Sequence, residues 1–195
     1  STINLKNGKI QTDQDFILKY TIPSASEPQI SVFQTKKPYC FSVCTLFPTG
    51  FIYVGNVKKI PLLDNQQRVS AILTFSQDTT PRTELLSLYA LYQKHYGSNK
   101  KAIAQFIKYL NLGHVFTSLP THRELLTLLT FHQDARAKYV ARQLALSDRT
   151  VEEYKYRLRH KLKNSLSLES LLAQLRHSHQ MSYKNTELKP RYEIA

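Results

Sequence analysis

The chain has 195 residues, 42% of them hydrophobic, and its 27 basic and 14 acidic side chains leave a net charge of +13. This composition suits one or two globular domains with buried cores and excludes a largely disordered chain. No apolar run reaches the roughly 18 residues needed to span a bilayer, and the sequence opens without a basic stretch, apolar core and small-residue cleavage site, so a cytoplasmic protein with no membrane partner is expected.

Residues 1–37 predict no firm element. Phe16-Ile17-Leu18 and Ile30-Ser31-Val32-Phe33 are short apolar clusters between polar and Pro/Ser-containing stretches. From Pro38 to Thr80 the chain reads as β structure. The runs Tyr39 to Phe47 and Phe51 to Val57 are separated by Pro48-Thr49-Gly50, a hairpin signal. A third run, Lys58 to Leu63, precedes Asp64-Asn65-Gln66-Gln67, and a fourth covers Arg68 to Ser76. An antiparallel sheet is expected. Cys40 and Cys44, four apart on one strand face, diverge too far for a disulfide and are expected to be reduced core thiols.

At Pro81 the period lengthens. Leu85, Leu88, Tyr89, Tyr92 and Tyr96 form one apolar stripe of a helix with Pro81 near its start, and Gly97-Ser98-Asn99 ends it. A second helix, Lys100 to Leu110, turns Ile103, Phe106, Ile107 and Leu110 to one side and is closed by Asn111-Leu112-Gly113. The pair reads as a helical connector.

Thr121-His122-Arg123-Glu124 has the spacing of a capping box, so a helix should start there and continue through Leu125, Leu126, Leu128 and Leu129 until His132-Gln133-Asp134 breaks it. A short helix, Ala137 to Leu144, should bury Val140, Ala141 and Leu144. Three residues, Ala145-Leu146-Ser147, then lead into a longer helix that opens at Asp148, with Ser147 as its N-cap. Two helices joined by so short a turn, the second long and basic, form a helix-turn-helix pattern. On the helical wheel Val151, Tyr154, Leu158 and Leu162 fall on one side, and Arg149, Glu152, Lys155, Tyr156, Arg159 and Lys163 on the other. One side packs; the other is open either to solvent, as in any amphipathic helix, or to a polyanion.

Charge is uneven along the chain. Residues 1–80 hold 8 basic and 5 acidic residues, whereas residues 81–195 hold 19 and 9, and the stretch Arg136 to Lys163 alone holds 9 and 3. Polyanion binding is therefore expected in the second half, where nucleic acid and an anionic membrane face would be attracted alike.

The run from Leu119, Leu-Pro-Thr-His-Arg-Glu, followed by Tyr139 to Tyr154, Tyr-Val-Ala-Arg-Gln-Leu-Ala-Leu-Ser-Asp-Arg-Thr-Val-Glu-Glu-Tyr, and by Lys161-Leu162, resembles the LuxR-type helix-turn-helix of the LuxR/FixJ families. The likeness covers about 60 of the 195 residues. His122 stands where those families usually have proline and Ala145 replaces the usual turn glycine. The loop Thr130 to Arg136 is expected to be about two residues longer than usual. The resemblance implies that Glu152, Glu153 and Tyr156 face bases in the major groove, and that Arg149, Thr150 and Lys163 hold phosphates. Arg142, Lys155 and Arg159 are further basic candidates for phosphate contact. A carboxylate at position 152 would accept from a cytosine amino group or discriminate against other bases. The helix from Ser167 to Arg176, with Leu168, Leu171, Leu172 and Leu175, corresponds to the fourth family helix, commonly a dimer contact, and its leucine stripe reads equally as core.

Ile60 to Val69 followed by Ala71 to Thr80 looks like the last two strands of a PAS domain, including the terminal Asp-x-Thr of Asp78-Thr79-Thr80. A PAS-like sheet implies a concave face for a small molecule or a partner helix, or else a fully packed core. No His-Glu-x-x-His or Cys/His metal array, Gly-rich phosphate loop or nucleophile motif occurs, so neither enzymatic activity nor a cofactor or metal is expected.

The expected architecture is α+β. A PAS-like antiparallel-sheet domain for sensing or dimerisation occupies residues 1–80, a helical connector 81–116, a four-helix LuxR-type DNA-binding domain 117–178, and a tail 179–195. The expected function is that of a dimeric, sequence-specific transcriptional regulator acting on double-stranded DNA, with a candidate small-molecule ligand in its first domain. The alternative is a protein-interaction module that keeps the helix-turn-helix shape without binding an operator.

Overall fold

A computed structural model describes residues 4–6, 9–11, 26–163 and 166–184. The fold is mixed α/β: among the described residues there are seven α-helices, a three-stranded antiparallel sheet and a small two-stranded one. The chain divides into two compact units, Ser1–Thr80 and Pro81–Ala195. The apolar cluster Phe16-Ile17-Leu18 lies outside the described residues.

In the first unit, β1 (Asn4–Lys6) pairs antiparallel with β2 (Lys9–Gln11). Helix α1 (Ser26–Thr35) contains the second short apolar cluster, of which Val32 is buried while Ile30 and Phe33 are each 49% exposed. The main sheet is a meander of β3 (Tyr39–Leu46), β4 (Ile52–Leu63) and β5 (Val69–Asp78), with β4 central. The first hairpin closes at Gly50, whose φ of 85° suits a residue without Cβ and whose amide donates to the Phe47 carbonyl at 2.8 Å. At the second, the Asp64 carboxylate accepts from the amides of Gln66 and Arg68 at 2.9 and 2.8 Å and from the Arg68 guanidinium at 2.9 Å. The Arg68 amide above all holds the Asp64 carboxyl below its ordinary range.

Two expectations change here. The runs Phe51 to Val57 and Lys58 to Leu63 are one strand, because β3 pairs with β4 only as far as Lys59. Beyond it β4 is paired by β5 alone, and Pro61, which has no N–H to give, is tolerated on that free side. Cys40 is exposed and Cys44 half-buried, so neither is a core residue. Alternation places Thr45, Gly55 and Lys59 on one buried face, while Leu62, Leu73 and Phe75 on the other are 46%, 39% and 46% exposed.

In the second unit, a single 3-10 turn, Thr80–Arg82, precedes α2 (Leu85–Tyr96). Pro81 thus lies in this turn rather than at the start of the helix. Gly97 ends α2 at φ 60°, and α3 (Asn99–Tyr109) follows. Tyr89, Tyr92 and Phe106 are fully buried between them, with ring centroids 5.3 Å apart for Tyr89–Phe106 and 5.4 Å for Tyr92–Phe106. Helix α4 (His122–Gln133) packs against both. Its Leu125, Leu128 and Leu129 share a core with Val140 of α5 (Ala137–Leu144), Val151 and Leu158 of α6 (Asp148–Lys161), and Leu171 and Leu175 of α7 (Leu168–Lys184), all fully buried.

The stripe Leu168, Leu171, Leu172 and Leu175 is therefore core of this unit and is not free to serve as a dimer contact. Helix α7 also continues to Lys184, six residues into the stretch read as tail.

Candidate nucleic-acid interface

The candidate interface is built on α4, α5 and α6, and each begins where local chemistry dictates. Thr121 caps α4. Its amide donates to the Glu124 carboxylate at 2.7 Å and its hydroxyl accepts from the Glu124 amide at 3.4 Å. Glu124 is only 2% exposed and receives the Lys161 ammonium at 2.6 Å, which ties the start of α4 to the end of α6. Burial raises the Glu124 carboxyl, but Lys161 and the Thr121 amide outweigh it and hold the group below its ordinary range. A short antiparallel pairing completes this clamp: the Thr117 amide donates to the Lys161 carbonyl at 2.8 Å and the Lys163 amide to the Val115 carbonyl at 2.9 Å.

Helix α4 runs through Phe131 to Gln133, with Thr130 and Phe131 buried, so the loop expected from Thr130 to Arg136 shrinks to Asp134–Arg136. The Thr130 hydroxyl bonds the Leu126 carbonyl at 2.8 Å inside the helix, and the Asp134 carboxylate bonds the Arg136 amide at 2.9 Å just outside it. Arg136 also grips that carboxylate with its guanidinium and draws the Asp134 carboxyl down to about 2.

Helix α5 ends at Ala145, which takes the left-handed conformation at φ 51°, ψ 49°. Leu144 is half-buried rather than buried. Ser147 then caps α6 by accepting from the Thr150 amide at 3.1 Å. The Thr150 hydroxyl lies 2.8 Å from Ser147 Oγ, and its side chain is half-buried in the turn.

One face of α6 is open. Arg149, Glu152, Glu153, Tyr156 and Arg159 are all exposed on it, and Arg142 is exposed on α5. Lys163, which the helical wheel puts on the same face, is exposed but lies beyond the last residue of α6, where the backbone is already extended and pairs with Val115. Lys155 differs: it is half-buried, its ammonium 5.8 Å from the centre of the buried Phe131 ring and 3.4 Å from Glu152. His160 belongs to the open face as well and was missed in the sequence, although it stands one turn beyond Tyr156. Their rings meet edge to face with centroids 4.2 Å apart.

Ion pairing sorts the nine basic residues between Arg136 and Lys163. Arg136 pairs with Asp134, Lys155 with Glu152, Arg157 with Glu153, Arg159 with Glu169 at 3.9 Å, and Lys161 with Glu124. Lys138, Arg142, Arg149 and Lys163 have no side-chain partner among the described residues. Arg149 is notable because a cation in the first turn of a helix opposes its dipole by roughly 0.3–1 kcal/mol. It contributes nothing to the fold that a neutral residue would not.

No family model matches the chain, and no curated protein matches it in sequence. Solved structures do show a likeness. VqmA of Vibrio cholerae in complex with ligand and DNA aligns at a TM-score of 0.35 and 23% identity, over 80% of this chain and 62% of that one. A phage VqmA–DPO complex aligns at 0.33 and 21%, over 83% and 60%. The Vibrio cholerae VqmA dimer, described as a LuxR-type receptor in the absence of target DNA, aligns at 0.26 and 22%, over 73% and 56%. The present chain spans less than two thirds of the length of each.

Proposed function

We propose that the chain is a sequence-specific DNA-binding transcriptional regulator of the LuxR type, with α5, the turn at Ala145 and α6 as its helix-turn-helix. The observation that carries this reading is a set of exposed cations with no side-chain partner among the described residues, Arg149 on α6, Lys163 just beyond its end, and Arg142 and Lys138 on α5, together with a helix α6 that is fixed on its other side by Val151 and Leu158. In this reading α6 enters the major groove, Glu152, Glu153 and Tyr156 face base edges, and Arg149, Thr150, Arg142 and Lys163 hold phosphates, with Lys155 and Arg159 as secondary contacts. The regulator acts as a dimer on two half-sites.

The first unit is proposed as its PAS-like sensing or dimerisation domain. Lys59 supports a ligand there. It is 6% exposed, burial lowers its pKa, and it has no carboxylate partner among the described residues. An anionic group of a small molecule would pair with that ammonium.

The test is the salt dependence of binding to duplex DNA. Each phosphate contact contributes a slope of about −0.9 in log K against log salt. Arg149→Gln and Lys163→Gln should each weaken binding and flatten the slope by about that amount per subunit. Unchanged affinity and slope in the double variant would rule α6 out as the DNA-contacting helix.

A second reading, a protein-interaction module on the same scaffold, is favoured by the carboxylates of Glu152 and Glu153 on the open face. It predicts that the double variant leaves partner binding intact and that the parent chain selects no operator.

A further inference from the structure

We infer that Tyr156 reads a thymine methyl group in the major groove, with His160 as the residue that orients its ring. This rests on the reading of α6 as the DNA-contacting helix and names the chemical group read at its centre. Tyr156 is 61% exposed, more than any other large hydrophobic side chain among the described residues. It lies on a face that is otherwise polar and charged.

The ring is oriented rather than loose. His160, one turn on, meets it at an interplanar angle of 66° with centroids 4.2 Å apart, the edge-to-face geometry in which aromatic pairs attract. The charged groups beside it are tied back along the helix, Glu152 by Lys155 and Glu153 by Arg157. The centre of the open face is thus an apolar ring, held on one side and free on the other.

Duplex DNA limits what such a ring can meet. The base faces are stacked inside the helix, and the major-groove edges of adenine, guanine and cytosine offer hydrogen-bond donors and acceptors. Thymine adds the C5 methyl, the apolar group to which aromatic and aliphatic side chains pack. The free face of Tyr156 suits that methyl.

The experiment uses the full chain and a duplex recovered by selection from a random pool at about 150 mM salt, where weak surface attraction is screened. Each thymine is replaced singly by deoxyuridine, which removes the methyl and nothing else. At one position per half-site the parent chain should bind about three- to five-fold more weakly, the worth of one buried methyl group. Tyr156→Phe should keep that discrimination and Tyr156→Ala should lose it. His160→Ala should reduce it, and His160→Phe, which preserves the edge-to-face contact, should restore it.

Indifference of the parent chain to every replacement overturns the inference while leaving α6 as the DNA-contacting helix. Loss of discrimination in Tyr156→Phe also overturns it, since the contact would then belong to the hydroxyl. Failure to recover any preferred duplex defeats the underlying reading instead.

Discussion

Ala145 closes α5 in the left-handed region, which costs an L-residue about 1–2 kcal/mol and glycine almost nothing. Glycine gains more freedom in the unfolded chain, which offsets part of the relief. Ala145→Gly should therefore raise stability by roughly 0.5–1 kcal/mol in a denaturant titration; a fall would mean that the turn is not strained. Lys161 makes the opposite case. Lys161→Met would strand the buried Glu124 carboxylate and should cost about 3 kcal/mol, as expected when one partner of a buried pair is removed. His122 adds a dependence on pH. Its Nδ1 lies 3.0 Å from the Tyr89 hydroxyl, and burial, then the charge of Arg123, holds it below the ordinary histidine value. Burial likewise pushes the Tyr89 hydroxyl up to about 12. A histidine whose folded-state pKa is lowered stabilises the fold above its unfolded value, and that stability is lost as pH falls through the folded one. Unfolding free energy should thus decrease from pH 7 to pH 5, and His122→Asn should flatten the profile in part, leaving the contribution of His95, which burial also lowers. An unaltered profile would show that His122 does not titrate on unfolding.

At the scale of elements, the helices with chemical punctuation were legible in the sequence. The Thr121 box and the Ser147 cap set the starts of α4 and α6, and Gly97 set the end of α2. Ser147→Ala should accordingly cost about 1 kcal/mol and fray the first turn of α6, detectable as faster amide exchange at Thr150; unchanged exchange would show the cap to be dispensable. What stayed hidden depends on contacts far apart in the chain. Helix α1 has neither a sustained apolar period nor a clear cap, and Pro28 in its first turn reads as a loop signal. That the runs Phe51 to Val57 and Lys58 to Leu63 form one strand, with Pro61 inside it, depends on where β3 stops pairing, which sequence alone does not state. Most of the exposed face of α6 was legible from the wheel, which however included Lys155, half-buried, and Lys163, beyond the helix. The Lys161–Glu124 pair joins residues 37 apart, and so the division of cations between fold and free surface was not legible.

The whole molecule combines a weakly charged first unit with a strongly basic second one: net +3 over residues 1–80 against +10 over residues 81–195. Bulk attraction to DNA follows from that imbalance alone and would be lost at moderate salt. Specific recognition requires more, namely a rigid helix whose open face carries groups not already spent on the fold. Helix α6 meets that requirement, since Val151, Leu158 and the Lys161–Glu124 pair anchor it while Arg149 and Tyr156 remain outside, with Lys163 exposed just beyond its end. Selection of bound duplexes from a random pool at about 150 mM salt tests this most directly. Recovery of a motif of two half-sites, lost in the Arg149→Gln, Lys163→Gln double variant, is the predicted result. Salt-sensitive binding to all duplexes alike, with no motif recovered, would contradict the assignment of α6 as an operator-reading helix.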